Sequence, residues 1–186
     1  MSINSWDTEL LLLLNGDGGL YADSFMDWLS SRFSAVPVYI GLAYLLYKKY
    51  AKDIWKILVA TAFLILVSDQ VSVAVKNLAQ RNRPCHQEHI VSQLHQVNHR
   101  CGGQYGFYSS HASNTMSLSV LCILLLRTSY VLWGMLVWVF SVGYSRIYLG
   151  VHFPGDILAG WIAGILFGGV TWSILIKFLK TKQAAQ

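Results

Sequence analysis

The feature that most constrains this chain is a set of long apolar segments that carry almost no charge. A helix needs about 20 predominantly apolar residues to cross a bilayer core, and each segment reaches or approaches that length with its flanks. Only 12% of the 186 residues are charged, which leaves too little polar surface to cover such helices in water. We therefore predict an all-α, polytopic transmembrane helical bundle. Its apolar runs lie at 33–47, 54–75, 116–126, 131–144 and 157–176.

About five spans and one short N-terminal helix account for this pattern, within a single domain over 1–186. The stretch Leu10–Leu14 is too short to span, so it is predicted to belong to an interfacial helix that ends at Asn15-Gly16. A loop is expected over 18–27, and the N-terminus lacks the basic stretch of a cleavable signal peptide. The predicted spans are 25–48, 54–79, 110–127, 130–147 and 154–179.

Basic residues indicate how the spans are oriented, because cytoplasmic loops carry an excess of Lys and Arg. The face predicted to be cytoplasmic carries Lys48, Lys49, Lys52, Lys56, Arg127, Lys177, Lys180 and Lys182. The outer face carries Arg32, Lys76, Arg81, Arg83, Arg100 and Arg146. No basic stripe with interleaved aromatic residues lies outside the spans, so the net charge of +5 requires no nucleic-acid partner.

The one long hydrophilic insertion, 81–109, is predicted to be an outer loop. It contains Cys85 and Cys101 with fifteen residues between them. A disulfide is compatible with an oxidising compartment and would stabilise the fold by about 3 kcal/mol, but the sequence leaves two free thiols equally open. Cys122, inside the third span, is expected to be a small core residue.

Polar side chains are costly in such a chain and mark functional sites. The first cluster closes the second span, where Lys76 and Arg83 are seven residues apart and share roughly one face while the helix lasts. Pro84 biases Arg83 away from helical geometry, so the helix is expected to end near Arg83. Taken alone, these cations also fit the common pattern of basic side chains that snorkel at a span end.

The second cluster, Ser109-Ser110-His111, opens the third span. Serine is a favoured N-cap residue, and the free amides and dipole of a helix N-terminus bind anions such as phosphate. His111 would then lie in the first turn, beside a bound phosphate. A plain serine cap with a bystander histidine is the alternative interpretation.

The third cluster joins the fourth and fifth spans: Ser145-Arg146 closes one, and His152 to Asp156 opens the other. Pro154 suits the first helical position. An aspartate four residues after His152 can hold one imidazole nitrogen and leave the other free as a nucleophile. The alternative is an interfacial His–Asp pair without chemistry. All three clusters fall on the predicted outer face, and independent coincidences of that kind are rare.

With these motifs the chain resembles the type 2 phosphatidic acid phosphatase family, in its membrane-embedded lipid phosphatase branch. Lys76 to Pro84 is similar to the K-x6-R-P signature, and Ser145-Arg146 through His152 to Asp156 is similar to S-R-x5-H-x3-D. The third signature, P-S-G-H, corresponds to residues 108–111 with Tyr108 and Ser110 in place of proline and glycine. The matched core runs from 76 to 156.

The resemblance implies a metal-independent phosphatase with no cofactor. Lys76, Arg83 and Arg146 would hold the phosphate oxygens, and Ser109 and Ser110 would add hydrogen bonds. His152 would attack phosphorus and form a phosphohistidine, which Asp156 would orient. His111 would protonate the leaving oxygen and then activate water. The site implied by the resemblance comprises Lys76, Arg83, Ser109, Ser110, His111, Arg146, His152 and Asp156.

The expected substrate is a lipid phosphate or diphosphate in the bacterial cytoplasmic (inner) membrane, with the site facing the periplasm or cell exterior. Family frequency favours undecaprenyl diphosphate or phosphatidylglycerol phosphate, and phosphatidate and lipid A phosphates stay open. Related haloperoxidases bind vanadate in the same kind of pocket but are soluble. A binding or transport protein without turnover, or a structural subunit, would not need the two histidines and Asp156.

Three further polar or small-residue features have simpler interpretations. Asp69, within the second span, is expected to have a structural or supporting role. The histidines of the outer loop match no tight metal-ligand spacing, so a polar loop is favoured. Gly160, Gly164 and Gly168 form a stripe that predicts close packing within the bundle, with a homodimer contact as the alternative. The loop histidines are His86, His89, His95 and His99.

Overall fold

Eight α-helices and no strand make up the described part of the chain, residues 3–98 and 101–179 of a computed structural model. The helices are α1 (Ile3–Leu14), α2 (Gly19–Ser30), α3 (Ala35–Tyr50), α4 (Ile54–Ala79), α5 (Glu88–Val91), α6 (Ser110–Leu126), α7 (Ser129–Tyr148) and α8 (Pro154–Leu175). Short 3₁₀ turns lie at Arg32–Ser34, Ala51–Asp53 and Pro84–His86. The predicted all-α class is confirmed, as is a short N-terminal helix that stops before Asn15.

Within residues 3–98 and 101–179, three segments are long and apolar enough to cross a bilayer: Arg32–Ala79, Ser129–Tyr148 and Pro154–Leu175. The first of them runs through both α3 and α4, which the 3₁₀ turn Ala51–Asp53 separates. The fourth apolar element, α6, has 17 residues and is slightly short for a span. The predicted bundle is confirmed as an architecture, while the count of five spans stays a prediction.

The first predicted span, 25–48, is wrong as one continuous helix. Ser31 is extended (φ −78°, ψ 160°) and separates α2 from α3. The hydroxyl of Ser34 satisfies backbone carbonyls at this break, donating to Leu29 at 2.7 Å and to Ser31 at 2.9 Å. The loop predicted over 18–27 is instead mostly α2, whose first amide, at Gly19, donates to the carboxylate of Asp17 at 2.8 Å. Serine hydroxyls that compete with the helical ladder explain the break.

The second predicted span has the expected bounds, but its helix does not continue to Arg83. It ends at Ala79 because Gln80 adopts the left-handed conformation (φ 48°) and donates its amide to Lys76 O at 3.0 Å. Backbone bonds from Arg83 N to Gln104 O and from Gly106 N to Arg81 O then fold the outer loop back on itself. The arginines therefore reach the bundle from a loop and not from a helix face.

A disulfide between Cys85 and Cys101, with Cα atoms 5.8 Å apart, closes this loop. The pairing that the sequence left open is thus present. The only free cysteine among the described residues is Cys122, which is buried in α6 as expected.

The glycine stripe of α8 packs against the backbone of α6. A Cβ added at Gly160, Gly164 or Gly168 would lie 2.5–2.7 Å from a carbonyl oxygen of α6. Those oxygens belong to Ser109, Ser113 and Ser117. Only glycine permits this approach, so the stripe serves packing within the bundle, as predicted.

At the end of the bundle opposite the outer loop, lysine side chains bind the C-termini of helices. Lys49 Nζ donates to Leu125 O at 2.9 Å, at the end of α6, and Lys56 Nζ donates to Phe178 O at 3.0 Å, just after α8. These lysines belong to the face predicted to be cytoplasmic, and they lie at the end away from the site. His99, Arg100, Lys180 and Lys182 lie outside the described residues.

Candidate active site

The ends of four helices converge on one cavity of about 810 Å³. The C-terminal turn of α4, the start of α6, the last turn of α7 and the segment before α8 all border it. Six of the eight predicted site residues line it: Lys76, Arg83, Ser110, His111, Arg146 and His152. The other two, Ser109 and Asp156, are fully buried directly behind this wall.

His152 and Asp156 form the predicted pair at the start of α8. The Nδ1 atom of His152 lies 3.4 Å from Oδ2 of Asp156, and the same oxygen accepts from the Phe153 amide at 3.1 Å. Pro154 begins the helix, which places Asp156 in its first turn. The ring and the carboxylate are both almost completely buried, at 1% and 0% exposed. The helix start therefore fixes the orientation of the imidazole.

The second ring nitrogen of His152 faces Arg83. One guanidinium nitrogen of Arg83 donates to Nε2 of His152 at 2.9 Å and to Val151 O at 3.2 Å, while its Nε donates to Gly103 O at 2.7 Å. An Nε2 that accepts a hydrogen bond carries its lone pair toward the cavity, and Nδ1 then carries the proton. This is the tautomer that a nucleophilic Nε2 needs.

Burial lowers the pKa of His152 well below its usual value, and the cations Arg83, Arg146 and Lys76 act in the same direction. The ring is consequently neutral at neutral pH. A neutral ring has an unprotonated nitrogen, whose lone pair becomes available when the hydrogen bond from Arg83 is released, so the environment keeps His152 in the form that can attack an electrophile.

Ser109 and Ser110 have different tasks at the start of α6. Ser109 is the N-cap, and its hydroxyl accepts from the Ala112 amide at 3.4 Å. Ser110, which replaces the glycine of the resembled signature, points its hydroxyl at α4, where it contacts the Lys76 ammonium and lies 2.6 Å from Ser72 Oγ. The extra hydroxyl therefore positions Lys76 instead of obstructing the cavity.

Arg146 completes the ring of cations. One of its terminal nitrogens donates to the Ser30 hydroxyl at the end of α2. Its Nε is buried and has no hydrogen-bond partner among the described residues. The head group is thus held from one side by the end of α2.

The cavity continues from the cations into an apolar region between α3, α4 and α7. It is lined there by Ala35, Tyr39, Ala62, Ile65, Leu66, Trp138 and Val142. Asp69 and Arg32 also border it. A polar end and an apolar end in one cavity suit a ligand that has both a charged head and a hydrocarbon tail.

Potential metal ligands come together at another place among residues 3–98 and 101–179. Ligand atoms of Asp17, Asp23 and His95 lie within 4.8 Å of one another. Asp23 accepts from Tyr148 at 2.6 Å and lies 2.8 Å from the His95 ring, so contacts within the fold account for the group. None of the three lines the cavity.

Sequence reasoning missed two charged residues beside the His152–Asp156 pair. Arg81 contacts Asp156, and Asp7 of α1 contacts Arg81. Arg81 falls among the unspecified positions of K-x6-R-P, and Asp7 is 74 residues before it. No local spacing in the sequence signals either contact.

Comparisons with known proteins find a matching family model and similar phosphatases. The family model described as PAP2 superfamily matches residues 35–180. The lipid A 4'-phosphatase of Bacteroides thetaiotaomicron is 37% identical over 186 residues, covering 97% of this chain and 79% of that protein. The lipid A 4'-phosphatase of Porphyromonas gingivalis is 33% identical, covering 91% and 73%.

A solved structure has the same fold. The transmembrane PAP2-type phosphatidylglycerolphosphate phosphatase of Bacillus subtilis superposes with a TM-score of 0.74 over 97% of this chain and 89% of that one, at 18% sequence identity. At that identity the likeness concerns the fold alone.

Proposed function

The chain belongs to the PAP2 superfamily and is a membrane lipid phosphatase, and on this premise we propose that it removes a phosphate from lipid A or a closely related glycolipid through a phosphohistidine on His152. One observation carries the mechanism. Nε2 of His152 accepts from Arg83 at the cavity while Nδ1 lies against Asp156. A merely binding protein would need the cations but not an oriented, neutral imidazole.

The first step is attack of His152 Nε2 on phosphorus. The phosphorus–oxygen bond to the lipid breaks, and His111 gives a proton to the leaving oxygen. Asp156 holds the Nδ1 proton and stabilises the positive charge that develops on the ring. The products are the dephosphorylated lipid and a phosphohistidine.

The second step is hydrolysis of the phosphohistidine. His111, now unprotonated, takes a proton from water, whose oxygen attacks phosphorus while the bond to Nε2 breaks. Lys76, Arg83 and Arg146 stabilise the charge on the phosphoryl oxygens in both steps. Phosphate leaves, and His152 returns to its neutral form.

The choice of lipid rests on the relatives and on the shape of the cavity. Family frequency alone favours undecaprenyl diphosphate or phosphatidylglycerol phosphate, whereas two relatives at 37% and 33% identity are named lipid A 4'-phosphatases. The apolar part of the cavity would take the beginning of an acyl chain while the phosphate lies against the cations. We therefore rank a lipid A phosphate first and phosphatidylglycerol phosphate second.

We further propose that the protein lies in the bacterial inner membrane with its site facing the periplasm. Two observations support this orientation. The lysine-rich end of the bundle is the end away from the site. The Cys85–Cys101 disulfide belongs to the loop at the site end, and disulfides persist in oxidising compartments.

The test is phosphate release by the purified protein from lipid A, phosphatidylglycerol phosphate and undecaprenyl diphosphate, with a chelator present. We expect lipid A to be the best substrate. His152→Ala should lower kcat by on the order of 10³-fold or more, because it removes the nucleophile. His89→Ala, a change of the same kind at an exposed loop histidine, should stay within about twofold of the unmodified protein.

Three results would contradict parts of this proposal. Turnover by His152→Ala would contradict the covalent mechanism. A strict requirement for added metal would contradict catalysis by the cations alone. Preference for a diphosphate over lipid A would replace the proposed substrate while leaving the phosphatase activity in place.

A further inference from the structure

A partly buried ion network extends from Asp156 to the N-terminal helix. Arg81 NH1 donates to Oδ1 of Asp156 at 2.7 Å, and Arg81 NH2 donates to Oδ2 of Asp7 at 2.5 Å. The guanidinium also lies over the Phe153 ring, 4.2 Å from its centroid. One arginine thus bridges two carboxylates and rests on the residue between His152 and the start of α8.

Asp7 binds the start of α8 with its other oxygen. Its Oδ1 accepts from the Gly155 amide at 2.8 Å, in the first turn of that helix. A Cβ at Gly155 would lie 2.7 Å from the Asp7 carboxylate, so the close approach requires glycine. A carboxylate at a helix N-terminus is also stabilised by the helix dipole. Helix α1 is therefore held directly against the segment that carries the catalytic pair.

The two carboxylate oxygens of Asp156 have different hydrogen-bond partners in this network. Oδ2 faces His152 Nδ1 and the Phe153 amide, whereas Oδ1 is bound by Arg81. Asp156 is fully buried, and a buried carboxylate is costly unless its charge and both its oxygens have partners. If Arg81 were absent, rotation of the carboxylate would no longer be restrained from the Oδ1 side.

We propose that Arg81 and Asp7 are positioning residues for the phosphatase reaction: Arg81 binds Oδ1 of Asp156 so that Oδ2 stays on the nucleophilic histidine, and Asp7 of α1 holds Arg81 in place. The proposal rests on the function proposed above. Asp7 lies before residue 35, where the match to the family model begins. Neither residue lines the cavity, so neither is placed to bind the substrate.

The proposal predicts a specific kinetic pattern. Arg81→Gln should lower kcat by about 100-fold and Asp7→Asn by about tenfold, because groups that orient a reactive side chain typically contribute 10- to 100-fold. KM should stay within about twofold in both, since the cavity is unchanged. Arg81→Lys should recover part of the lost kcat, because an ammonium keeps one ionic contact with Asp156 but not the two-carboxylate bridge.

Three controls separate positioning from general damage. Glu9→Gln removes the same charge from the same helix at an exposed position, and it should leave kcat unchanged. The double variant Asp7→Asn/Arg81→Gln should be no worse than Arg81→Gln alone, because Asp7 acts through Arg81. Methylguanidine, added to Arg81→Gln, should raise its kcat, since the Arg81 side chain is 23% exposed.

The following results would contradict either the proposed function or the positioning proposal. If unmodified protein releases no phosphate from any of the lipids, the proposed function fails, and the positioning proposal that rests on it fails with it. If it is active and Arg81→Gln keeps full kcat, or if the two changes multiply, the positioning proposal is wrong. A higher KM with unchanged kcat would also overturn it, by showing that Arg81 contributes to substrate binding. If Arg81→Gln does not fold, the comparison of Asp7→Asn with Glu9→Gln decides, and equal kcat values contradict the proposal.

Discussion

The two walls of the cavity differ in how closely their helices pack. On one side, α8 presents three glycines to the backbone of α6, and a Cβ at any of them would come within 2.7 Å of a carbonyl oxygen. On the other side, α3, α4 and α7 leave room for the apolar part of an 810 Å³ cavity. We call the wall formed by α6 and α8 the close wall, and the wall formed by α3, α4 and α7 the open wall. The close wall carries His111 at the start of α6 and Asp156 at the start of α8.

This difference indicates a division of tasks. Proton transfer and in-line attack depend on distances that must hold to a fraction of an ångström, and backbone contact between helices provides that rigidity. Lipid tails vary in length and conformation and need space more than precision. The groups proposed to react thus lie on the close wall, and the space proposed for the lipid tail lies beside the open one.

The largest effect is expected from widening the close wall. Gly164→Leu would place a side chain 2.6 Å from Ser113 O and 2.7 Å from Met116 Cβ, so α6 and α8 must separate. We expect a destabilisation of about 1–3 kcal/mol and a fall in kcat of about 100-fold, since a displacement of about 1 Å at a catalytic group has that effect. Thermal unfolding and steady-state kinetics measure the two quantities.

The control is the same substitution at Gly169, where an added Cβ meets nothing within 4 Å. Gly169→Leu should retain both stability and kcat. If the two variants behave alike, the stripe has no special role and the distinction between the walls fails.

A smaller and different effect is expected on the open wall. Ala62 lines the apolar part of the cavity from α4, and Ala62→Phe would occupy space that the lipid tail needs. KM for a long-chain lipid phosphate should rise by about tenfold, as expected for a steric change in an apolar pocket. A short-chain soluble analogue should be hydrolysed normally, because the catalytic groups do not move.

Ala74→Phe provides the matched variant, because Ala74 is exposed on the same helix and does not line the cavity. Its KM should match that of the unmodified protein for both substrates. Equal losses for the long and short substrates in Ala62→Phe would show that the open wall also supports the reacting groups.

The smallest effect is expected at the contact between the two walls. Ser110, on α6, contacts Lys76 and Ser72, on α4. Ser110→Gly restores the residue of the resembled signature and removes this contact. Loss of one hydrogen bond with a net value of about 0.5–1.5 kcal/mol should lower kcat/KM by about two- to tenfold.

Ser129→Gly is the matched control, because Ser129 is the exposed first residue of α7. It should leave kcat/KM unchanged. An increase in kcat/KM on Ser110→Gly would mean that the hydroxyl restrains Lys76 away from the phosphate, contrary to the role assigned here.

Local sequence signals located most of the site. Ser109 could be predicted as an N-cap and Pro154 as a first helical residue because both preferences depend on backbone groups within one turn. The break at Ser31–Ser34 was missed because the apolar pattern continues across it, while serine hydroxyls interrupt the helix. The expectation that the helix continues to near Arg83 was wrong because Gln80, which gives no strong stop signal in the sequence, adopts the left-handed conformation.

The sequence by itself determined a helical membrane bundle, the three clusters at helix ends, and a resemblance strong enough to name the reacting groups. These follow from apolar run length and from spacings of a few residues. Only the tertiary structure decided how Arg83 reaches His152, how Ser110 contacts Lys76, and how Asp7 joins Asp156 through Arg81. Such contacts join residues far apart in the chain, and their geometry depends on how closely whole helices pack.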